Sequence, residues 1–281
     1  MRCGSPRVRS AVAVLAAAAC VACSGGHHGS PGPRDSTTGH VTGSGASPGQ
    51  SPGEPPTTPA DPARAIREDA ATLQDPSASD HERRLAGERL QLALRDLGNA
   101  PPARLRRVTG RLGPALAATV RDAVRSARLL GGITAPQPHF PPWRIVAPAP
   151  AAELLGYYRL AQRRTGVPWT YLAAINLVES RMGRIRGTSP AGAHGPMQFV
   201  RPTWELYGEG GDINDPHDAV LAAARLLRDD GAPDDMAAAL WHYNQSHSYV
   251  RAVTGYARIL QRAPWMYLRM ARWTPKLPFR R

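Results

Sequence analysis

Trp169-Thr170-Tyr171-Leu172-Ala173-Ala174-Ile175-Asn176-Leu177-Val178-Glu179-Ser180 is an apolar run with a single acid near its end. Leu172, Ile175 and Glu179 fall at i, i+3 and i+7, so on a helix the carboxylate shares the stripe that faces the core. A surface glutamate has no reason to lie there. Gly183, just after Arg181 and Met182, is a C-terminal stop signal. It puts Glu179 in the last turn, beside the negative end of the helix macrodipole. Burial and that dipole both disfavour the anion, and a neutral carboxyl is what a general acid needs near neutral pH. The competing reading of the helix alone is a structural salt bridge to Arg181, Arg184 or Arg186.

Around this run the chain reads as mainly α. Helical periodicity recurs over 151–165, 168–182, 218–229, 233–243 and 249–261, with a long loop between 183 and 196 and no strand of convincing alternation. All six Trp, eight Tyr and three Phe lie at or after Phe140. Residues 61–132 carry only aliphatic patterns: Leu85, Leu90, Leu94 and Leu97, then Val108, Leu112, Leu116, Val120 and Val124. Gly113-Pro114 should kink or interrupt the second of these. A short helical hairpin or three-helix bundle is expected there, with a coiled-coil spacer as the alternative. A Pro-rich linker over 133–147 separates this segment from a domain over 148–262.

The ends differ in kind. Arg2, Arg7 and Arg9 precede an apolar run from Ala11 to Ala22 that is too short to span a bilayer comfortably and reads as a secretory signal, over 1–23. Cys23, before Ser24-Gly25-Gly26, resembles the lipidation site of a bacterial lipoprotein, with Cys20 as the alternative. Residues 24–60 are Gly, Ser, Pro and Thr with almost no large apolar side chain, a tether rather than a fold. His27, His28 and His40 lie in it without a metal-binding pattern. No cysteine follows Cys23, which excludes internal disulfides and thiolate metal sites beyond that point.

Net charge is +13. From Trp143 to Arg262 the 13 Arg nearly balance 11 Asp and Glu, whereas the tail over 263–281 has five basic residues and no acid. Trp265, Tyr267, Trp273 and Phe279 are interleaved with those charges. Such a tail either rests on an anionic wall polymer or membrane surface or straps its aromatics over the core. Export argues against nucleic acid as the partner.

Several pieces occur in a fixed order: Gly166-Val167-Pro168, Glu179-Ser180, Ser189-Pro190-Ala191-Gly192-Ala193, Gly195-Pro196-Met197-Gln198-Phe199, Pro202-Thr203-Trp204, Asp215-Pro216, and Tyr243-Asn244 followed by Tyr249-Val250. Together they resemble the transglycosylase SLT domain of bacterial lytic transglycosylases, in the lysozyme-like superfamily. The resemblance implies a helical lysozyme-like fold, Glu179 as catalytic acid with Ser180 in the same motif, Met197, Gln198 and Phe199 lining the cleft, and Tyr243 and Asn244 closing it. The usual Tyr-Asn-Ala-Gly is Tyr243-Asn244-Gln245-Ser246 here, a departure that bears on substrate positioning.

The implied substrate is the glycan strand of peptidoglycan, cut between N-acetylmuramic acid and N-acetylglucosamine. Ordinary glycosidases use two carboxylates, and this cluster offers one. Asp212, Asp215, Glu205 and Glu209 fall among turns and helix starts, where Asp215 and Asp218 are most simply caps. The resemblance therefore implies a lyase step in which Glu179 acts as acid and then base and leaves a 1,6-anhydro end, with no metal or cofactor. The alternatives are a lysozyme-type hydrolase using a nearby aspartate, and a wall-binding module without turnover. Trp204, Trp241, His194 and His242 flank the motifs, where packing competes with sugar contact.

Overall fold

A computed structural model describes residues 61–133 and 143–272. The proposed signal, Cys23, Cys20, the tether and the tail beyond residue 272 lie outside the described residues.

The first segment holds four helices, α1 (Pro62–Gln74), α2 (Asp80–Asn99), α3 (Pro102–Thr109) and α4 (Pro114–Ile133). Local chemistry fixes their starts. Asp61 caps α1 through its carboxylate, and Ser79 and Glu82 form a reciprocal capping box at α2. Gly113-Pro114 interrupts the pattern, and Pro114 opens α4, where the missing amide costs nothing.

The second segment opens with β1 (Arg144–Ile145), which pairs antiparallel with β2 (Ile185–Arg186). The expected linker over 133–147 thus contains the last residue of α4 and a two-residue strand. Alternation cannot reveal strands so short; only the partner defines them. The helices that follow are α5 (Ala151–Thr165), α6 (Trp169–Ser180), α7 (Arg201–Tyr207), α8 (Pro216–Asp229), α9 (Met236–Tyr243), α10 (His247–Arg262) and α11 (Trp265–Arg272). The expected mainly α, lysozyme-like helical class holds. The periodicity over 201–207 and 265–272 spans about two turns each, which is why α7 and α11 were not expected. Met236 rather than Pro233 opens α9, with Asp235 as the capping side chain.

One core runs through both segments. α4 packs along α10, burying Val120, Val124 and Leu130 against a helix that buries Ala252, Val253, Ile259 and Leu260. Each such aliphatic side chain contributes about 1.5–3 kcal/mol when buried. The two helices approach closely at Gly255, where an added Cβ would lie 2.2 Å from Ser126 Oγ. The aliphatic helices of 61–133 pack on one another, α1 on α2 and both α2 and α3 on α4, and through α4 they dock on the second segment. α11 continues this core: Met266, Tyr267 and Met270 are buried, and Tyr267 donates to the Ala151 carbonyl at 2.7 Å. Among the described residues no helix is long and apolar enough to cross a membrane.

Candidate active site

α6 is enclosed all round, with every residue from Leu172 to Ser180 buried. Its end is not made by Gly183 alone. Arg181 (φ 56), Met182 (φ 63) and Gly183 (φ 80) are successive left-handed residues, and the Met182 amide closes back on the Asn176 carbonyl at 3.0 Å. Two non-glycine residues at positive φ cost of order 1–3 kcal/mol each. The strain is held by polar side chains of the same helix. Ser180 Oγ donates to the Pro196 carbonyl at 2.6 Å and accepts from the Gly183 amide at 2.9 Å. Asn176 Nδ2 donates to the same Pro196 carbonyl at 2.7 Å, while its Oδ1 accepts from Tyr158 Oη at 2.6 Å. The helix end and the Gly195–Phe199 loop are thus one hydrogen-bonded unit.

That loop is a tight turn. His194 and Phe199 exchange both backbone hydrogen bonds, at 2.8 and 2.9 Å, and Gln198 sits at φ 53 with its Nε2 on the Gly195 carbonyl at 2.9 Å. Gly195 has φ 75, and a Cβ there would meet Ile213 O at 1.9 Å. Only glycine fits. Upstream, Ser189 Oγ accepts from the Ala193 amide at 2.9 Å and closes the Ser189–Ala193 turn.

Glu179 is 0% exposed. Tyr249, from the first turns of α10, donates its hydroxyl to Glu179 Oε1 at 2.7 Å. Tyr243 lies parallel to Tyr249 with centroids 6.4 Å apart and donates to the Met197 carbonyl at 2.6 Å. Burial, with the neighbouring Glu179 charge adding to it, pushes both phenols well above their ordinary value. Both therefore remain protonated donors at neutral pH.

The structure brings Ser180, the Met197-Gln198-Phe199 loop and Tyr243 together, with Asn244 next to Tyr243 at the end of α9, but with different exposures of their polar groups. Met197 and Phe199 are fully buried, Phe199 packing edge-on against Trp204 at 5.5 Å and Tyr243 at 6.3 Å. Ser180 spends its hydroxyl on the loop. Gln198 Oε1 and Asn244 are the amide groups at the site, the former buried without a hydrogen-bond partner among the described residues. Trp204 is core, 8% exposed, whereas Trp241 is half-buried and stacked on His247 at 4.4 Å. Tyr249 and Asn176 were missed as site residues. Tyr249 stood in a quoted motif, but only its contact 70 positions back in the chain gives it a role.

The other acids are engaged elsewhere. Among the described residues Glu179 and Asp69 are the only buried carboxylates, and Asp69 lies on α1, paired with Arg89. Glu205 pairs with Arg201, and Glu209 with Arg225. Asp215, His217 and Asp218 place three ligand atoms within 4.8 Å of one another. Asp215 caps α8, and Asp218 accepts from the Asp212 amide and meets His217 Nδ1. These bonds account for the cluster as loop structure.

Residues 156–265 match the transglycosylase SLT domain family. The chain is also similar to a membrane-bound lytic murein transglycosylase F of Thiobacillus denitrificans, 32% identical over 106 residues that make up 35% of this chain and 22% of that protein. The chain thus spans under a quarter of that relative's length. No solved structure matches it significantly.

Proposed function

Because residues 156–265 form a transglycosylase SLT domain, we propose that the protein is a lytic transglycosylase acting on the glycan strands of peptidoglycan, with Glu179 as its catalytic acid and base. The observation that carries this reading is the buried carboxyl of Glu179, held by Tyr249 at the helix end to which the Gly195–Phe199 loop is tied. With Tyr249 donating to Oε1, the acidic proton of neutral Glu179 resides on Oε2. It passes to the glycosidic oxygen between N-acetylmuramic acid and N-acetylglucosamine, and the C1–O bond breaks as the substrate's acetamido oxygen assists at C1. Tyr249 then stabilises the carboxylate so formed. Glu179 next takes the proton of the muramoyl C6 hydroxyl, whose oxygen bonds to C1. The product is a 1,6-anhydro end, and no water is consumed.

Among the described residues no other buried carboxylate lies beside Glu179, which supports this step over a two-carboxylate hydrolysis. Ser180 and Asn176 act as positioning residues, and Gln198, Tyr243 and Asn244 bring neutral hydrogen-bonding groups to the sugars. Since Glu179 is fully enclosed, binding of a glycan requires the loop or the Tyr243–Asn244 corner to part. In this reading the helical segment 61–133 serves as a buttress docked on the catalytic segment. Export as a Cys23-anchored lipoprotein places the enzyme outside the cytoplasm, next to its substrate.

Mass spectrometry of digested peptidoglycan tests the chemistry. Anhydro-muropeptides are expected; reducing muramic ends alone would exclude the lyase step. Glu179→Gln should lower muropeptide release by at least about 100-fold. Equal release by mutant and wild type would sink the assignment of Glu179.

A further inference from the structure

The face of α10 turned away from Glu179 has its own chemistry. Across Pro102–Ile133 and His247–Arg262 there are ten arginines and one acid, Asp122. Asp122 is already paired with Arg262 at 3.1 Å. Arg104 and Arg111 pair with Asp96 and Asp61, and Arg128 donates to carbonyls at the end of α2. Arg125, Arg251 and Arg258 have no ion pair or side-chain hydrogen bond among the described residues.

These three line a trough. One cavity of about 450 Å³ lies between α4, α9 and α10, bordered by Asp122, Arg125, Arg251, Thr254 and Arg258. A second of about 280 Å³ borders it, sharing Arg125 and Arg251. The trough exists because Gly255 lets α10 close on Ser126 at its floor. Asp122 also borders the first cavity, but its carboxylate is taken up by Arg262, so three guanidinium forks are left in excess around a concave surface, the arrangement that recognises oxyanions. Two adjoining cavities with shared arginines suit successive groups along a strand. A membrane seat would instead need apolar side chains to insert, and the exposed large apolar residues, Leu85, Leu92, Leu206 and Leu268, all lie on other helices.

We propose that the α4–α10 trough binds successive phosphate groups of a linear phosphate polymer, with Arg125, Arg251 and Arg258 as the anion-binding groups. This site is separate from Glu179 and does not depend on its chemistry. It gives the 61–133 segment a task, since neither segment forms the trough alone.

The test is fluorescence anisotropy of labelled inorganic polyphosphate titrated with the full chain at several salt concentrations. R125Q/R251Q/R258Q should weaken binding about tenfold or more and flatten the salt dependence by about two units of log–log slope. R159Q/R163Q/R164Q, an equal charge loss on α5, should change binding less than about twofold. Thr254→Glu, which adds an unpaired carboxylate to the cavity, should weaken binding as the first triple does. Circular dichroism melts establish that each variant is folded. Equal losses for the two triples would overturn the proposal. So would polyglutamate of equal charge binding as tightly, or anionic phospholipid vesicles competing better than polyphosphate at equal phosphate.

Discussion

The two faces of α10 handle polar groups in opposite ways. Toward α6, Tyr249 and Tyr256 are buried, and the polar atoms around Glu179 are mostly neutral and tied to one another within 3 Å. Toward α4 and solvent, Arg251 and Arg258 are exposed, charged and without an ion pair among the described residues. The inner face depends on geometry, because a buried polar group that loses its partner costs about 1–3 kcal/mol. The outer face depends on charge, which solvent screens and which single substitutions alter little. One helix, two residues apart along its sequence, serves both regimes.

The comparison is broken most severely at Gly195. Gly195→Ala sets a Cβ against Ile213 O in a left-handed turn, and a loss of about 3 kcal/mol or more is expected in denaturant titration, with muropeptide release falling alongside. A variant as stable as wild type would show that the loop is not the rigid wall described. Tyr249→Phe is next. It removes the donor to Glu179, and release should fall about tenfold to 100-fold while stability changes by only about 1 kcal/mol. An unchanged rate would reduce Tyr249 to packing.

On the other side, Val120→Ala leaves a cavity in α4, a residue 1% exposed. A loss of about 1–3 kcal/mol is expected, with release at temperatures well below the melt unchanged, since the site lies beyond α10. A proportionate loss of rate would mean that the buttress and the site are coupled. The smallest effect concerns the caps. Hydrogen bonds from Arg64 to Asp61, from Ser77 to Asp75 and from Ser79 to Glu82 hold these carboxyls below their ordinary values of 3.8, 3.8 and 4.5. A depressed folded value means stabilisation present above the ordinary value and lost as pH falls through the lower one. Amide protection factors, corrected for the intrinsic pH dependence of exchange, should therefore fall at the starts of α1 and α2 as pH drops from about 4.5 to below 3.8, before they do so at α6. Simultaneous loss would deny them any local role.

Much of the fold was legible because its signals are local. The 3.6 periodicity gave α5, α6, α8, α9 and α10 to within a few residues, and Asp61, Ser79 and Asp215 act where capping chemistry puts them. Glu179 was legible because an acid on an apolar stripe contradicts its surroundings. Less could be read where the reason is a distant partner. Ser180 stood beside Glu179 in the motif, and only the folded chain shows its hydroxyl tying helix to loop. Arg181 and Met182, not Gly183 alone, turn the chain, held by bonds that no local rule encodes.

The sequence by itself determined the helices, their caps and a lone acid on the wrong face, since propensity, periodicity and capping act within a few residues of chain. Tertiary structure alone decided which tyrosine meets Glu179, that 61–133 shares a core with the second segment, and that arginines from α4 and α10 border one trough. Those outcomes depend on contacts between residues 70 to more than 100 positions apart. Their free energy comes from shape and burial once the helices meet, and it is encoded in no short stretch of the chain.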